Sequence, residues 1–301
     1  FADYRPTAQA ASRAFLGQPF LPAGPWDEMS LWLGDLNPDE RRAHTITLEP
    51  LTHQILKNGA GWASLRAAQY TSRPGQADLL HVDIWQRGEP VTLDAGTFQY
   101  NAAPPWENAL AGSVVHNTVT IERHDQMRRA GRFLWLDWPR VFILNFDVHS
   151  QTVGAFHEGY VRRFGVTHRR ELSLENDSTW LVADKLFPTG KARQVAITLH
   201  WLLPDGLWQL EGQTLKLETE TNLIKLSVTT EPESPAPEIQ LIRAGQALVG
   251  TSPESPIFGW YSPTYSLKLP ALALRLTWRC TPPLVIYTRI HTEALKDRGA
   301  V

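Results

Sequence analysis

Two periodicities divide the chain. Residues 7–16 (TAQAASRAFL) are rich in alanine and free of helix breakers, and behind Pro25 residues 26–33 space Trp26, Met29, Leu31 and Leu33 at loose helical intervals. Both segments predict short helices. Residues 37–42 (NPDERR) read as a charged turn or a helix start. From His44 onward the period shortens to two, β-branched residues dominate, and turn signals recur at Asn58-Gly59, Arg87-Gly88, Asn176-Asp177, Pro204-Asp205-Gly206 and Glu211-Gly212. Strands are predicted over 79–85 and 91–100, joined as a hairpin around Arg87-Gly88-Glu89-Pro90. Further strands are predicted over 117–122, 141–146, 169–174, 180–185, 195–203, 214–220 and 222–228. The runs EPESPAPE and TSPESP read as surface loops, because the strand pattern resumes after each. Regular short strands of this kind predict a mainly β chain: a large antiparallel β-sandwich, supersandwich-like, over residues 46–301, preceded by a short helical segment over 1–45.

Composition bounds what such a chain does. Its 301 residues, 43% of them hydrophobic, suffice for a core without crosslinks or metals. With 29 basic against 31 acidic residues and a net charge of -2, nothing advertises a nucleic-acid partner. No apolar run approaches the ~20 residues of a membrane-spanning helix. Cys280 is the only cysteine, so no internal disulfide forms, and its apolar setting reads as an inert buried thiol. Phe1 is not an initiator methionine, so the chain is expected to be part of a longer one, with a removed signal peptide left open. Twelve tryptophans suit either stacking on sugar rings or packing between sheets, and their alternation with aliphatic residues assigns most of them to the core.

Candidate chemistry gathers between Arg73 and Gly131. Alternation over 79–85 places Leu79, His81, Asp83 and Trp85 on one face, where the Asp83 carboxylate can hold the His81 imidazole, either as a structural pair or as part of a site. Asp94 interrupts the apolar run VTLDAGTFQY and is either a metal ligand or a turn former that bonds its own backbone. His116 breaks into the β-branched run VVHNTV; a metal and an acceptor would satisfy its two nitrogens, as would ordinary core partners. Arg128, Arg129 and Arg132, beside Phe133 and Trp135, suit the carboxylates or sulfates of a glycan or form a solvated loop. Arg162, Arg163, His168, Arg169 and Arg170 read as a solvated strand face.

The run RPGQADLLHVDIWQRGEPVTLDAGTFQY, followed by VVHNTVTIERHDQM and AGRFLWLDW, resembles the β-sandwich module of the heparinase II/III-like family of polysaccharide lyases. The resemblance is densest over residues 73–138. It implies an N-terminal α/α-toroid in the same full-length chain, with residues 1–45 as its tail or a linker from it, an acidic polysaccharide as partner, and β-elimination next to a uronate carboxyl in a cleft to which the toroid supplies a Tyr and an Asn or His. A bacterial periplasmic or cell-envelope setting goes with it. It also implies a divalent-metal site, which falls here on Gln76, Asp94 and His116. Gln76 offers a carbonyl where the family has an imidazole, favouring a harder ion such as calcium over zinc, or none. A further family histidine falls on Pro74. His81 is the residue that could step in as ligand or base, so His81 and His116 stand as the candidate catalytic residues. Asn117 and Trp135 join the three arginines as expected glycan contacts. By this reading the chain alone is a lyase portion without activity of its own, or else a non-catalytic carbohydrate-binding or structural module.

Overall fold

A computed structural model describes residues 4–34, 53–144, 146 and 149–295. The charged turn expected at 37–42 and the boundary expected between residues 45 and 46 lie outside the described residues. The chain divides into two units, Phe1–Leu51 and Thr52–Val301.

In the first unit an α-helix spans Arg5–Ala11, with Pro6 in its first turn, where a missing N–H costs nothing. It runs into a π-helical turn, Ser12–Leu16, closed by Gly17 at φ +70°, a conformation glycine adopts freely. A 3-10 turn, Pro25–Asp27, leads into the second α-helix, Glu28–Trp32. The buried Gln9 ties these pieces together: its amide donates to Leu21 O (3.1 Å) and Asp27 Oδ1 (2.7 Å) and accepts the N–H groups of Phe20 and Leu21.

The second unit is a mainly β structure of antiparallel sheets. An eight-stranded sheet is ordered Leu207–Glu211, Thr214–Glu218, Asn222–Glu231, Leu284–Ala294, Thr179–Pro188, Val166–Asn176, Thr152–His157, Val141–Ile143. A five-stranded sheet is ordered Gln246–Val249, Glu238–Arg243, Leu272–Cys280, Val195–Leu203, Val119–Ile121. A smaller sheet comprises His53–Lys57, Gly61–Arg66, Val82–Gln86 and Glu89–Pro90. All three bury their apolar faces in one core, with Trp180, Val182 and Ile286 from the first, Ile197, Leu199 and Leu274 from the second, and Leu65, Val82 and Ile84 from the third. This sharing makes the unit a sandwich. The strand Val195–Leu203 is buried at every position, which is why its sequence, VAITLHWLL, reads as a nearly continuous apolar run. The predicted turns fall between strands; at Arg87 and Gly88, φ of +55° and +79° makes a two-residue hairpin turn of the type whose twist matches the flanking strands.

Three expectations change here. The strand predicted over 79–85 starts only at Val82, because Leu80 takes φ +58° and reverses the backbone, so Leu79 and Leu80 are both buried instead of alternating. The strand predicted over 91–100 does not form: the ladder on Val82–Gln86 ends at Glu89–Pro90, beyond which Leu93 N–H bonds Leu202 O and Asp94 Oδ1 takes Gly96 N–H, a local side-chain bond that competes with strand pairing. Of the tryptophans, Trp135, Trp180, Trp201 and Trp278 are buried while Trp32, Trp62 and Trp138 are exposed, so the core takes fewer than alternation implied. An indole is too large to bury fully at most strand positions.

Candidate functional site

His81, Asp94 and His116 converge at one place on the second unit. His81 leaves the left-handed Leu80 and precedes the strand Val82–Gln86; a leucine at positive φ is strained, and here the strain aims the imidazole. Asp94 sits in the loop that its own bond to Gly96 N–H (2.6 Å) shapes. His116 follows the 3-10 turn Ser113–Val115 in extended backbone. Asp94 Oδ2 lies 3.5 Å from His81 Nε2 and 3.5 Å from His116 Nδ1, and His81 Nε2 lies 3.2 Å from Asp83 Oδ1. The two imidazoles meet edge to face. Both rings are buried, whereas the side chains of Asp83 and Asp94 are 26% and 37% exposed, so the cluster presents carboxylates outward and keeps its histidines beneath them.

Asn117 is the keystone. Its backbone N–H donates to His81 Nδ1 (3.0 Å), its side-chain N–H groups donate to Val82 O and Leu93 O (3.0 Å each), and its Oδ1 accepts Leu202 N–H (2.7 Å). One side chain thus joins the strand Val82–Gln86, the Asp94 loop and the strand Val195–Leu203. Arg170 braces the same backbone from the core: its Nη1 donates to Leu80 O (2.7 Å) and to Asn117 O, while Nε and Nη2 grip Asp184 at 2.6 and 2.9 Å. Asp184 also accepts from His168 Nε2 (2.6 Å), and Arg170 lies over the Trp201 ring. Replacing Asn117 with alanine leaves Val82 O, Leu93 O and Leu202 N–H without their partner. At roughly 1 kcal/mol per lost bond, the expected loss is about 3 kcal/mol. Urea unfolding that differs from the native chain by less than about 1 kcal/mol would show Asn117 not to be the keystone.

The electrostatics follow from this packing. Burial opposes a charge on His81, while the carboxylates of Asp83, which also accepts its Nε2–H, Asp94 and Asp78 favour one; the Asn117 N–H aimed at Nδ1 occupies the place of a second proton, so Nδ1 keeps its lone pair. Burial likewise opposes charge on Asp94, yet His116, His81 and the Gly96 N–H hold its pKa far below the usual carboxylate range. His200, whose Nδ1–H donates to His116 O (2.9 Å), is buried beside them and its pKa is pushed down to about 3, chiefly by that burial. For a divalent ion the donor set fits only in part. The candidate ligand atoms of His81, Asp94 and His116 lie within 4.8 Å of one another, and neither nitrogen of the fully buried His116 makes a hydrogen bond. His81 does not fit, because its Nδ1 accepts an N–H and the remaining nitrogen therefore carries a proton. Gln76 lies beside the Asp94 loop, where its Nε2 donates to Gly96 O (3.2 Å).

The remaining expected contacts are placed differently from one another. Asn117 is fully buried with both side-chain polar atoms bonded inside the protein, and Trp135 is buried with Nε1 donating to Gly75 O (3.3 Å); neither presents a surface to a glycan. Interior polar partners and a packing pocket claimed them first. Arg128, Arg129 and Arg132 stand exposed on the hairpin Arg128–Gly131 and Leu134–Leu136, engaged respectively with Asp137, the carbonyls of Glu107 and Asn108, and Glu107 with Asn101. Of the cluster expected on a solvated face, His168 and Arg170 are fully buried. The period of two could have found them: Val166, His168, Arg170 and Leu172 share one face of a strand. A groove of about 810 Å³ is lined by Arg128, Arg140, Arg162, Arg163 and Trp138, together with Asp137 and Glu158.

A family model described as heparinase II/III-like, C-terminal, matches residues 52–288. Among solved structures, heparan sulfate lyase HepC from Pedobacter heparinus matches with a TM-score of 0.64 at 13% identity, over 99% of this chain and 43% of that one. A heparinase III gene product matches with a TM-score of 0.64 at 14% identity, over 89% and 40%. A further heparinase III structure gives 0.59 at 12% identity, over 78% and 33%. At such identities the likeness is one of fold, and this chain spans less than half the length of each of these proteins. No curated protein matches the sequence.

Proposed function

The chain belongs to the heparinase II/III-like family through its C-terminal module, and from that premise we propose that it forms the β-sandwich half of a polysaccharide lyase acting on uronic-acid-containing glycans. The observation that carries this reading is the convergence of His81 and His116 on Asp94. In β-elimination a base removes the proton on the carbon beside the uronate carboxyl, a carbon–carbon double bond forms, the bond to the leaving sugar oxygen breaks, and an acid protonates that oxygen. An N-terminal α/α-toroid of the same full-length chain supplies the base and acid in this reading. Here His81 and His116 are positioning residues: their rings are buried, and they fix the direction of the partly exposed Asp94 and Asp83 carboxylates. The groove of Arg128, Arg140, Arg162 and Arg163 beside Trp138 offers guanidinium groups and an aromatic face to an acidic glycan. A bacterial periplasmic or cell-envelope setting suits such a substrate.

A second reading, a non-catalytic carbohydrate-binding or structural module, is favoured by Pro74 and Gln76 where the resemblance implies histidines, and by the burial of both remaining rings. The two are separated by assaying the full-length gene product and this chain side by side on heparan, alginate and hyaluronan, following the ultraviolet absorbance of unsaturated uronate. The chain alone is expected to release nothing, the full-length protein to release product, and its His116→Ala variant to be slower by roughly 100-fold, the scale of a misplaced catalytic constellation. Product from this chain alone overturns the assignment of base and acid to the toroid, and none from the full-length protein on any uronate overturns the lyase reading.

A further inference from the structure

We infer that this site is held together by protons where the family resemblance implies a divalent ion. One backbone amide fixes where the proton sits. Asn117 N–H points at His81 Nδ1 over 3.0 Å, and an amide N–H only donates, so Nδ1 must carry a lone pair. A neutral imidazole has one N–H, which then sits on Nε2, and Nε2 is the atom that faces Asp83 at 3.2 Å and Asp94 at 3.5 Å. Adding a second proton would place it on Nδ1 against the amide and would still leave Nε2–H. In neither state does Nε2 offer an electron pair to a metal. Metal-binding histidines show the opposite arrangement: the ring nitrogen away from the ion donates to a carbonyl or carboxylate.

The amide cannot simply turn away. The Asn117 side chain is tied to Val82, Leu93 and Leu202, and its carbonyl accepts from Arg170, which is itself gripped by the buried Asp184. The His81 proton thus occupies the position of a cation between two carboxylates, and His116 Nδ1 lies 3.5 Å from the same Asp94 oxygen. Gln76 completes the substitution: in place of an imidazole aimed at an ion, its amide donates to Gly96 O and supports the Asp94 turn. The inference concerns the site of the proposed function but stands independently of lyase activity, since it is read from metal content and ring protonation.

The test uses the chain as purified. Elemental analysis is expected to find less than about 0.1 zinc or calcium per chain after exposure to equimolar metal, with the melting temperature unmoved by a chelator. Long-range proton–nitrogen NMR of labelled histidine is expected to place a proton on His81 Nε2, assigned by its loss in His81→Ser. The pair Gln76→His and His81→Ser together is expected to bind zinc at least ~10-fold more tightly than the native chain. Stoichiometric metal in the native chain overturns the inference, whether or not His81→Ser abolishes it, as does an unprotonated Nε2 or an unchanged affinity in the double variant. Loss of lyase activity in the full-length protein leaves each of these readouts where it was, so the two proposals fail separately.

Discussion

Replacing Arg170 with methionine is expected to destabilise the chain by about 3–5 kcal/mol, the scale for removing one partner of a buried ion pair. Arg170 and Asp184 are both fully buried, and the guanidinium is bonded to Asp184, Leu80 O and Asn117 O. Methionine fills much of the volume but leaves the Asp184 carboxylate with His168 as its remaining partner and strips two buried carbonyls of a donor. Those carbonyls belong to the residue before His81 and to the residue after His116, so the damage reaches the site. Adding Asp184→Leu is expected to recover part of the loss, because the stranded charge goes with it. Urea denaturation of the two variants decides the matter: a single substitution costing under about 1 kcal/mol means that the pair does not brace the fold.

Acidification is expected to destabilise the chain well above the range where carboxylates titrate, and His200 carries much of the effect. Its folded-state pKa of about 3 lies below the ordinary 6.5 because burial disfavours the imidazolium. Between those values the unfolded chain binds a proton that the folded chain refuses. The contribution of His200 is therefore fully present above pH ~6.5 and is lost as pH falls toward its folded value, up to about 5 kcal/mol in all. His157 and His168, also buried and lowered, act in the same direction. Asp94, whose depressed pKa adds stability present above its unfolded value, is lost only at lower pH still. Comparing the native chain with His200→Gln isolates one proton: between pH 6.5 and 4.5 the native stability should fall more steeply, by about 2 kcal/mol over the interval. Parallel curves would assign the acid sensitivity elsewhere.

Much of the fold was legible because strands and turns are local. The period of two and the turn pairs at Asn58-Gly59, Arg87-Gly88 and Glu211-Gly212 mark hairpins that the structure contains. Asp94 and His116 stood out in the sequence because each interrupts an apolar run, and the structure places Asp94 Oδ2 3.5 Å from His116 Nδ1. The role of His81 was harder to read. Counted along a straight strand it lies five residues beyond Gln76, at the far end of the segment; the positive φ of Leu80 bends the backbone there and delivers the ring to Asp94. Side-chain pattern carries no signal for that torsion.

Asn117, Trp135 and Arg170 mark the same limit from the other direction. Each is of a residue type that commonly sits at a binding surface, and each is buried. Asn117 reaches Leu202, 85 residues away, and Arg170 reaches Leu80, 90 residues away. By itself, then, the sequence determined the mainly β architecture, its turns and the family, because these rest on alternation and on contiguous motifs. Only the tertiary structure decided which polar groups face a ligand and which hold the core, and on which nitrogen His81 carries its proton. Those choices depend on donors and acceptors that meet only after the chain has folded.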